Sequence, residues 1–102
     1  MTKIFVIGSL SQSKEIQEIA KSLKTENFIV KYAKPDNRPF NIVVKQTFDN
    51  IDNADVIIVL QKPDGTIGKG TAYEIEYAKR RHKKINFVNS YQKERNGDKI
   101  WK

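Results

Sequence analysis

Ala54-Asp-Val-Ile-Ile-Val-Leu60, followed by Gln61-Lys-Pro-Asp-Gly65-Thr-Ile-Gly68-Lys-Gly70 and then Thr71-Ala-Tyr-Glu74-Ile-Glu-Tyr-Ala78, is the stretch that decides the fold. It reads as a buried strand, a glycine-rich loop and the opening turns of a helix. The apolar run Val56 to Leu60 is unbroken and rich in β-branched residues, which suits a parallel strand covered on both faces. In open α/β sheets ligands gather beyond the carboxyl ends of the strands, and the unpaired amides of a following helix attract anions there. Glu74, just inside the helix, is expected at that mouth.

Upstream, Lys3 to Gly8 reads as a first, central strand, with Gly8-Ser9 as the turn that leaves it. Ser11 or Ser13 is expected to cap the next helix, whose buried face is Ile16, Ile19, Ala20 and Leu23 and which Asn27 closes. Phe28 to Ala33 gives a second strand, and the prolines at 35 and 39 mark a loop. Ile42-Val43-Val44 has strand propensity. The three-and-four spacing of Val44, Thr47, Phe48 and Ile51 nevertheless predicts a helix over 40–53.

Downstream, Pro63-Asp64-Gly65 signals a turn. A third helix is expected from Thr71 to about His82, burying Ala72, Ile75, Ala78 and either Tyr73 or Tyr77. A fourth strand covers Ile85 to Asn89, and Ile100-Trp101 is a candidate short edge strand after Asn96-Gly97. Strands alternating with helices across short connections mean a parallel sheet flanked by helices. The expected fold is a small α/β, flavodoxin- or Rossmann-like three-layer sandwich of order 2-1-3-4, forming one domain over residues 1–102. That order sets Gly8-Ser9 across one cleft from Gly68-Lys69-Gly70 and Glu74.

A chain of 102 residues with 38% apolar and 30% charged content can bury a core of its own. No apolar run is long enough for a bilayer, and the stretch at Ile4 to Ile7 stops at Gly8-Ser9 instead of continuing as a signal peptide. The sequence holds no cysteine and one histidine. Disulfides, thiolate nucleophiles and cysteine metal sites are excluded, no metal or cofactor is expected, and a reducing cytosol fits. A cytoplasmic protein with no membrane association is the expectation. The net charge of +7 favours anionic partners such as nucleotides or nucleic acid, although spread basic residues also serve solubility. The cluster Lys79-Arg80-Arg81-His82-Lys83-Lys84 falls where a helix should end and there offsets the macrodipole. Nucleic acid is disfavoured as a partner, because no aromatic stripe or recognition-helix pattern accompanies the charge.

Glycines 65, 68 and 70 would let backbone amides approach a ligand, with the charge of Lys69 beside them. This is a phosphate cradle or simply a tight strand-to-helix turn. It is neither the dinucleotide fingerprint nor a P-loop. Glu74 also has two readings. Thr71-Ala-Tyr-Glu74 matches a capping box, in which the hydroxyl and the carboxylate satisfy free helix amides. Alternatively the carboxylate attacks a sugar anomeric carbon and passes through a covalent intermediate.

The two segments Ala54-Asp55-Val-Ile-Ile-Val and Gly70-Thr-Ala-Tyr-Glu74-Ile-Glu-Tyr-Ala78 resemble the signature of the nucleoside 2-deoxyribosyltransferase family, which includes relatives that hydrolyse 2'-deoxynucleoside 5'-monophosphates. Ile4-Phe-Val-Ile-Gly8-Ser9 resembles the first strand and substrate-binding turn of that family. The resemblance implies that Glu74 is the nucleophile and that Gly8, Ser9, Gly68, Lys69, Gly70 and Tyr73 lie at the substrate. It also implies a homodimer. The chain departs from the pattern at three places. Thr47 stands near a commonly acidic position, Gly68 stands where an Asp or Ser is usual, and Glu76 replaces a small residue. These departures favour a hydrolase over a full transferase. The implied activity is N-glycosidic cleavage of a 2'-deoxynucleoside or its monophosphate, and the alternative is a non-catalytic nucleotide-binding module on the same fold.

Overall fold

The computed structural model describes residues 2–24, 27–34 and 37–89. Four strands, β1 (Thr2–Ile7), β2 (Phe28–Tyr32), β3 (Val56–Gln61) and β4 (Lys84–Asn89), alternate with helices α1 (Ser13–Leu23), α2 (Phe40–Asn53) and α3 (Lys69–Arg80). A single 3-10 turn, Leu10–Gln12, precedes α1. All pairings are parallel and the sheet order is β2-β1-β3-β4, as the alternation of elements predicts. The candidate strand at Ile100-Trp101 lies outside the described residues.

Side chains of a strand point alternately to its two faces, so the central strands serve two cores at once. Ile4, Val6, Ile58 and Leu60 meet Ile16, Ile19 and Ala20 of α1 on one face. Phe5, Ile7, Ile57 and Val59 meet Ile51 of α2 and Ile75 and Ala78 of α3 on the other. This is the expected three-layer arrangement. Val6, Ile7, Ile19, Ile51, Ile57 and Val59 are completely buried. At about 1.5–3 kcal/mol for each aliphatic side chain removed from water, these two apolar layers drive the fold. None of the described helices is long and apolar enough to cross a membrane.

Several local expectations are corrected. Neither Ser11 nor Ser13 caps α1. The N-cap is Gln12 without a side-chain cap bond, because the 3-10 turn, closed by the Gln12 amide on the Ser9 carbonyl at 2.9 Å, leads straight into the helix. Helix α1 ends at Leu23, where Lys24 turns extended, so Asn27 does not close it. Instead the Asn27 carbonyl accepts the Thr2 amide at 3.2 Å and aligns β2 with β1. Helix α3 begins at Lys69 with Gly68 as its N-cap, one half-turn earlier than the spacing suggests. Ala72 and Tyr73 are therefore exposed, and the sheet-facing stripe is Thr71, Ile75 and Ala78.

At its far end α3 stops on a left-handed residue, His82, with φ of 57°. The Lys83 amide donates to the Ala78 carbonyl and the His82 amide to the Lys79 carbonyl, both at 3.0 Å, which is the Schellman arrangement. The same end is locked to α2. The Tyr77 ring stacks on Phe48 and its hydroxyl donates to Asp52 Oδ2 at 2.8 Å. Arg81 lies over the other face of Tyr77 at 5.0 Å and pairs with Asp52 Oδ1 at 3.3 Å. Lys83 Nζ donates to the Asp52 and Ala54 carbonyls at 2.9 and 2.8 Å, satisfying acceptors that the end of α2 leaves open.

Candidate functional site

Strands β1 and β3 are adjacent and in parallel register, with Ile7 opposite Val59, so their carboxyl ends open side by side. A Cβ on Gly8 would stand 3.3 Å from Leu60 Cβ and from the Leu60 carbonyl oxygen, and 3.1 Å from Ile16 Cδ1. Glycine is what allows the chain leaving β1 to press against β3. Gln12 Nε2 donates to the Gln61 carbonyl at 3.1 Å and ties the same two exits together. Ser9 Oγ and Ser11 Oγ share a hydrogen bond of 3.0 Å in this turn.

The loop after β3 is shaped by its own bonds. The Gly65 amide donates to the Lys62 carbonyl at 2.8 Å, and Asp64 Oδ1 accepts from both the amide and the hydroxyl of Thr66, at 2.9 and 2.6 Å. The Thr66 bonds hold the Asp64 carboxyl below its ordinary pKa. Gly65, at φ of 82°, is required by this turn and is not free to serve a ligand. Gly68 and Gly70 differ from it. A Cβ at either would meet nothing within 4 Å, so the space before α3 is open. The amides of Lys69, Gly70 and Thr71 begin the helix without intrahelical acceptors, and no side chain caps them. With the Lys69 side chain they make the exposed start of α3 electropositive.

Glu74 does not take part in a capping box. Thr71, its expected partner, is the third residue of the helix and is buried against the sheet. The Glu74 side chain lies on the same inward row, three residues after Thr71 and three before Tyr77, the residue that stacks on Phe48 of α2. It is half-buried, and no hydrogen bond or ion pair reaches its carboxyl group among the described residues. Desolvation pushes its pKa up to about 7 from 4.5. A partly buried carboxyl without a partner, one turn inside a helix that starts at the sheet's carboxyl edge, costs folding energy. Such a cost is typical of a group kept for chemistry.

Other expected residues scatter. Tyr73 is 75% exposed on the outer side of α3 and lines no wall of the core. Thr47 faces away from α3 and contributes to a groove between α2 and β2. Neither of the two concavities on that side of α2 includes Gly8, Ser9, Gly68, Lys69, Gly70, Tyr73 or Glu74. Sequence reasoning did not find the clamp of Phe48, Tyr77, Asp52 and Arg81 that orients the helix carrying Glu74. The four-residue step from Tyr77 to Arg81 is its one local signal.

No protein-family model matches the chain, and no curated protein matches it significantly. Among solved structures it is similar to a 2-desoxiribosyltransferase from Leishmania mexicana, with a TM-score of 0.70 at 17% sequence identity. The match covers 99% of this chain and 75% of that one. The chain therefore has a nucleoside 2-deoxyribosyltransferase-like fold.

Proposed function

We propose that the protein cleaves the N-glycosidic bond of a 2'-deoxynucleoside or its 5'-monophosphate, with Glu74 as the nucleophile. The observation that carries this reading is the unpartnered, half-buried Glu74 carboxyl, one turn inside a helix whose first amides no side chain caps. The ionised carboxylate attacks the anomeric carbon as the bond to the base breaks. The electron pair of that bond leaves with the base, which takes up a proton from solvent water. Attack by water then releases the sugar and regenerates the carboxylate. Lys69 and the first amides of α3 hold a 5'-phosphate when one is present. Gly8 and Ser9 border the sugar from β1. The low polarity around Glu74 makes its anion a stronger nucleophile once formed, because little solvation is lost on attack.

A second reading is a module that binds a nucleotide without turning it over. It is favoured by the position of Thr47, on the side of α2 away from Glu74, and by Gly68, which brings no polar side chain to the site. Neither can help to hold the sugar or protonate the base.

The test is incubation with each deoxynucleoside and its monophosphate, followed by chromatography for free base. Release that disappears in Glu74→Gln supports the enzyme. Saturable binding without release, retained in Glu74→Gln, supports the module instead. A 2'-fluoro substrate that leaves a sugar adduct on Glu74, read by mass spectrometry, identifies the nucleophile directly.

A further inference from the structure

The ladder between β1 and β3 stops at Ile7 and Val59, the last residues in register. At its other end the Asp55 amide donates to the Lys3 carbonyl at 2.7 Å. The odd-numbered residues of β3 therefore turn their backbone polar groups toward β1, because those groups alternate sides along a strand. Gln61 belongs to that set, but it lies beyond Val59, where β1 has already left the sheet. Its carbonyl faces a place that no strand fills. The Gln12 side chain fills it instead, donating from Nε2 to the Gln61 carbonyl at 3.1 Å across 49 residues of sequence. Gln12 is a polar residue only 5% exposed, so its carboxamide continues the ladder inside the protein and spares the Gln61 carbonyl the desolvation cost of an unmade bond.

The bond joins two turns. On the β1 side the Gln12 amide closes the 3-10 turn on the Ser9 carbonyl at 2.9 Å, and Gln12 is the N-cap of α1, which Ile16 and Ile19 anchor in the core. On the β3 side Gln61 Nε2 donates to the Gly65 carbonyl at 3.4 Å, and the Lys62 amide donates to the Thr66 carbonyl at 3.0 Å. A chain of contacts thus runs from Ser9 through Gln12 and Gln61 to the loop that leads into Gly68 and α3.

We propose that Gln12 is a positioning residue for deoxynucleotide binding: by supplying the missing step of the ladder it holds the Gly8-Ser9 turn and the loop before α3 at a fixed separation before substrate arrives. This inference rests on the reading of Glu74 as the nucleophile. Gln12 acts through Ser9 and through Gln61, and its carboxamide is spent on the protein. Turns that are ordered in advance lose less freedom when they close on a ligand, so removing the bond weakens substrate binding and leaves the bond-breaking step at Glu74 intact.

Two variants of the full chain test this. Gln12→Met keeps the length of the side chain and removes the donor. Gln12→Asn keeps a carboxamide and a favourable N-cap but falls one methylene short of Gln61, and it carries the test if Gln12→Met does not fold. Base release from the four 2'-deoxynucleoside 5'-monophosphates is measured for each. Both variants should raise KM about tenfold, the equivalent of one buried hydrogen bond, and keep kcat within about twofold of the parent. In the unliganded protein, amide hydrogen exchange at Lys62, Gly65 and Thr66 should quicken by about the same factor while Ile51 and Ile58 keep the parent rate. An unchanged KM in both variants, or a fall in kcat alone, overturns the proposal and leaves the Glu74 reading standing. Equal quickening at Ile51 and Ile58 marks a general loss of stability and overturns it too. A parent that releases no base from any of the four overturns the Glu74 reading, and this proposal with it.

Discussion

The ring of Tyr77 lies face to face on that of Phe48, with centroids 4.0 Å apart and planes 3° from parallel. This stack joins α3 to α2 one turn below Glu74, and the Tyr77 hydroxyl extends it to Asp52. The position of the candidate nucleophile thus depends on the packing of two aromatic rings. Tyr77→Ala should destabilise the fold by about 3 kcal/mol, whereas Tyr77→Phe, which keeps the stack and loses only the bond to Asp52, should cost about 1 kcal/mol. Urea denaturation of the two variants checks this order.

Glu74 makes stability fall with rising pH. Its pKa in the folded state, about 7, lies above its ordinary value of 4.5, so the folded protein holds this proton more tightly than the unfolded chain. The favourable contribution is complete below about pH 4.5 and is lost as pH rises to about 7, a total of about 3 kcal/mol. Glu74→Gln should match the parent at pH 4 and exceed it by up to that amount at pH 8. Thermal melts at the two pH values measure the difference.

The same ionisation governs the proposed chemistry, with the opposite sign. A nucleophilic carboxylate must be deprotonated, so kcat/KM for base release should rise with pH through about 7 and level off above it. Initial rates between pH 5 and 9 give the profile. A rate already flat at pH 5.5 would show that another group limits the reaction.

His82 occupies a left-handed position that glycine fills without strain. His82→Gly should stabilise the protein by about 1 kcal/mol, seen as a shift in the denaturation midpoint with an unchanged slope.

Gly8 offers the reverse case. An added methyl group there would press on the Leu60 carbonyl at 3.3 Å, which belongs to the sheet and cannot yield as the Ile16 methyl can. Gly8→Ala should destabilise by about 1–2 kcal/mol and weaken nucleotide binding by parting the exits of β1 and β3. Calorimetric titration with a deoxynucleoside monophosphate tests the second effect.

The alternation of apolar runs and three-and-four spacings determined the parallel sheet, its order and the span of α2, because each signal arises from which side of one element must leave water. Helix α2 is instructive, since Val43 and Val44 favour a strand locally and were outweighed by the spacing of Phe48 and Ile51. The place of Glu74 in the opening turns of α3, after the strand and the glycine loop, was also legible. Whether it capped its helix was not, since an early start at Lys69 turned Thr71 inward, and that start depends on how Ile75 and Ala78 meet Ile57 and Val59 across the sheet. The tertiary structure alone decided the desolvation of that carboxyl and the clamp between α2 and α3. Each requires residues distant in the chain to share one space, and distances of that kind leave no period in a sequence.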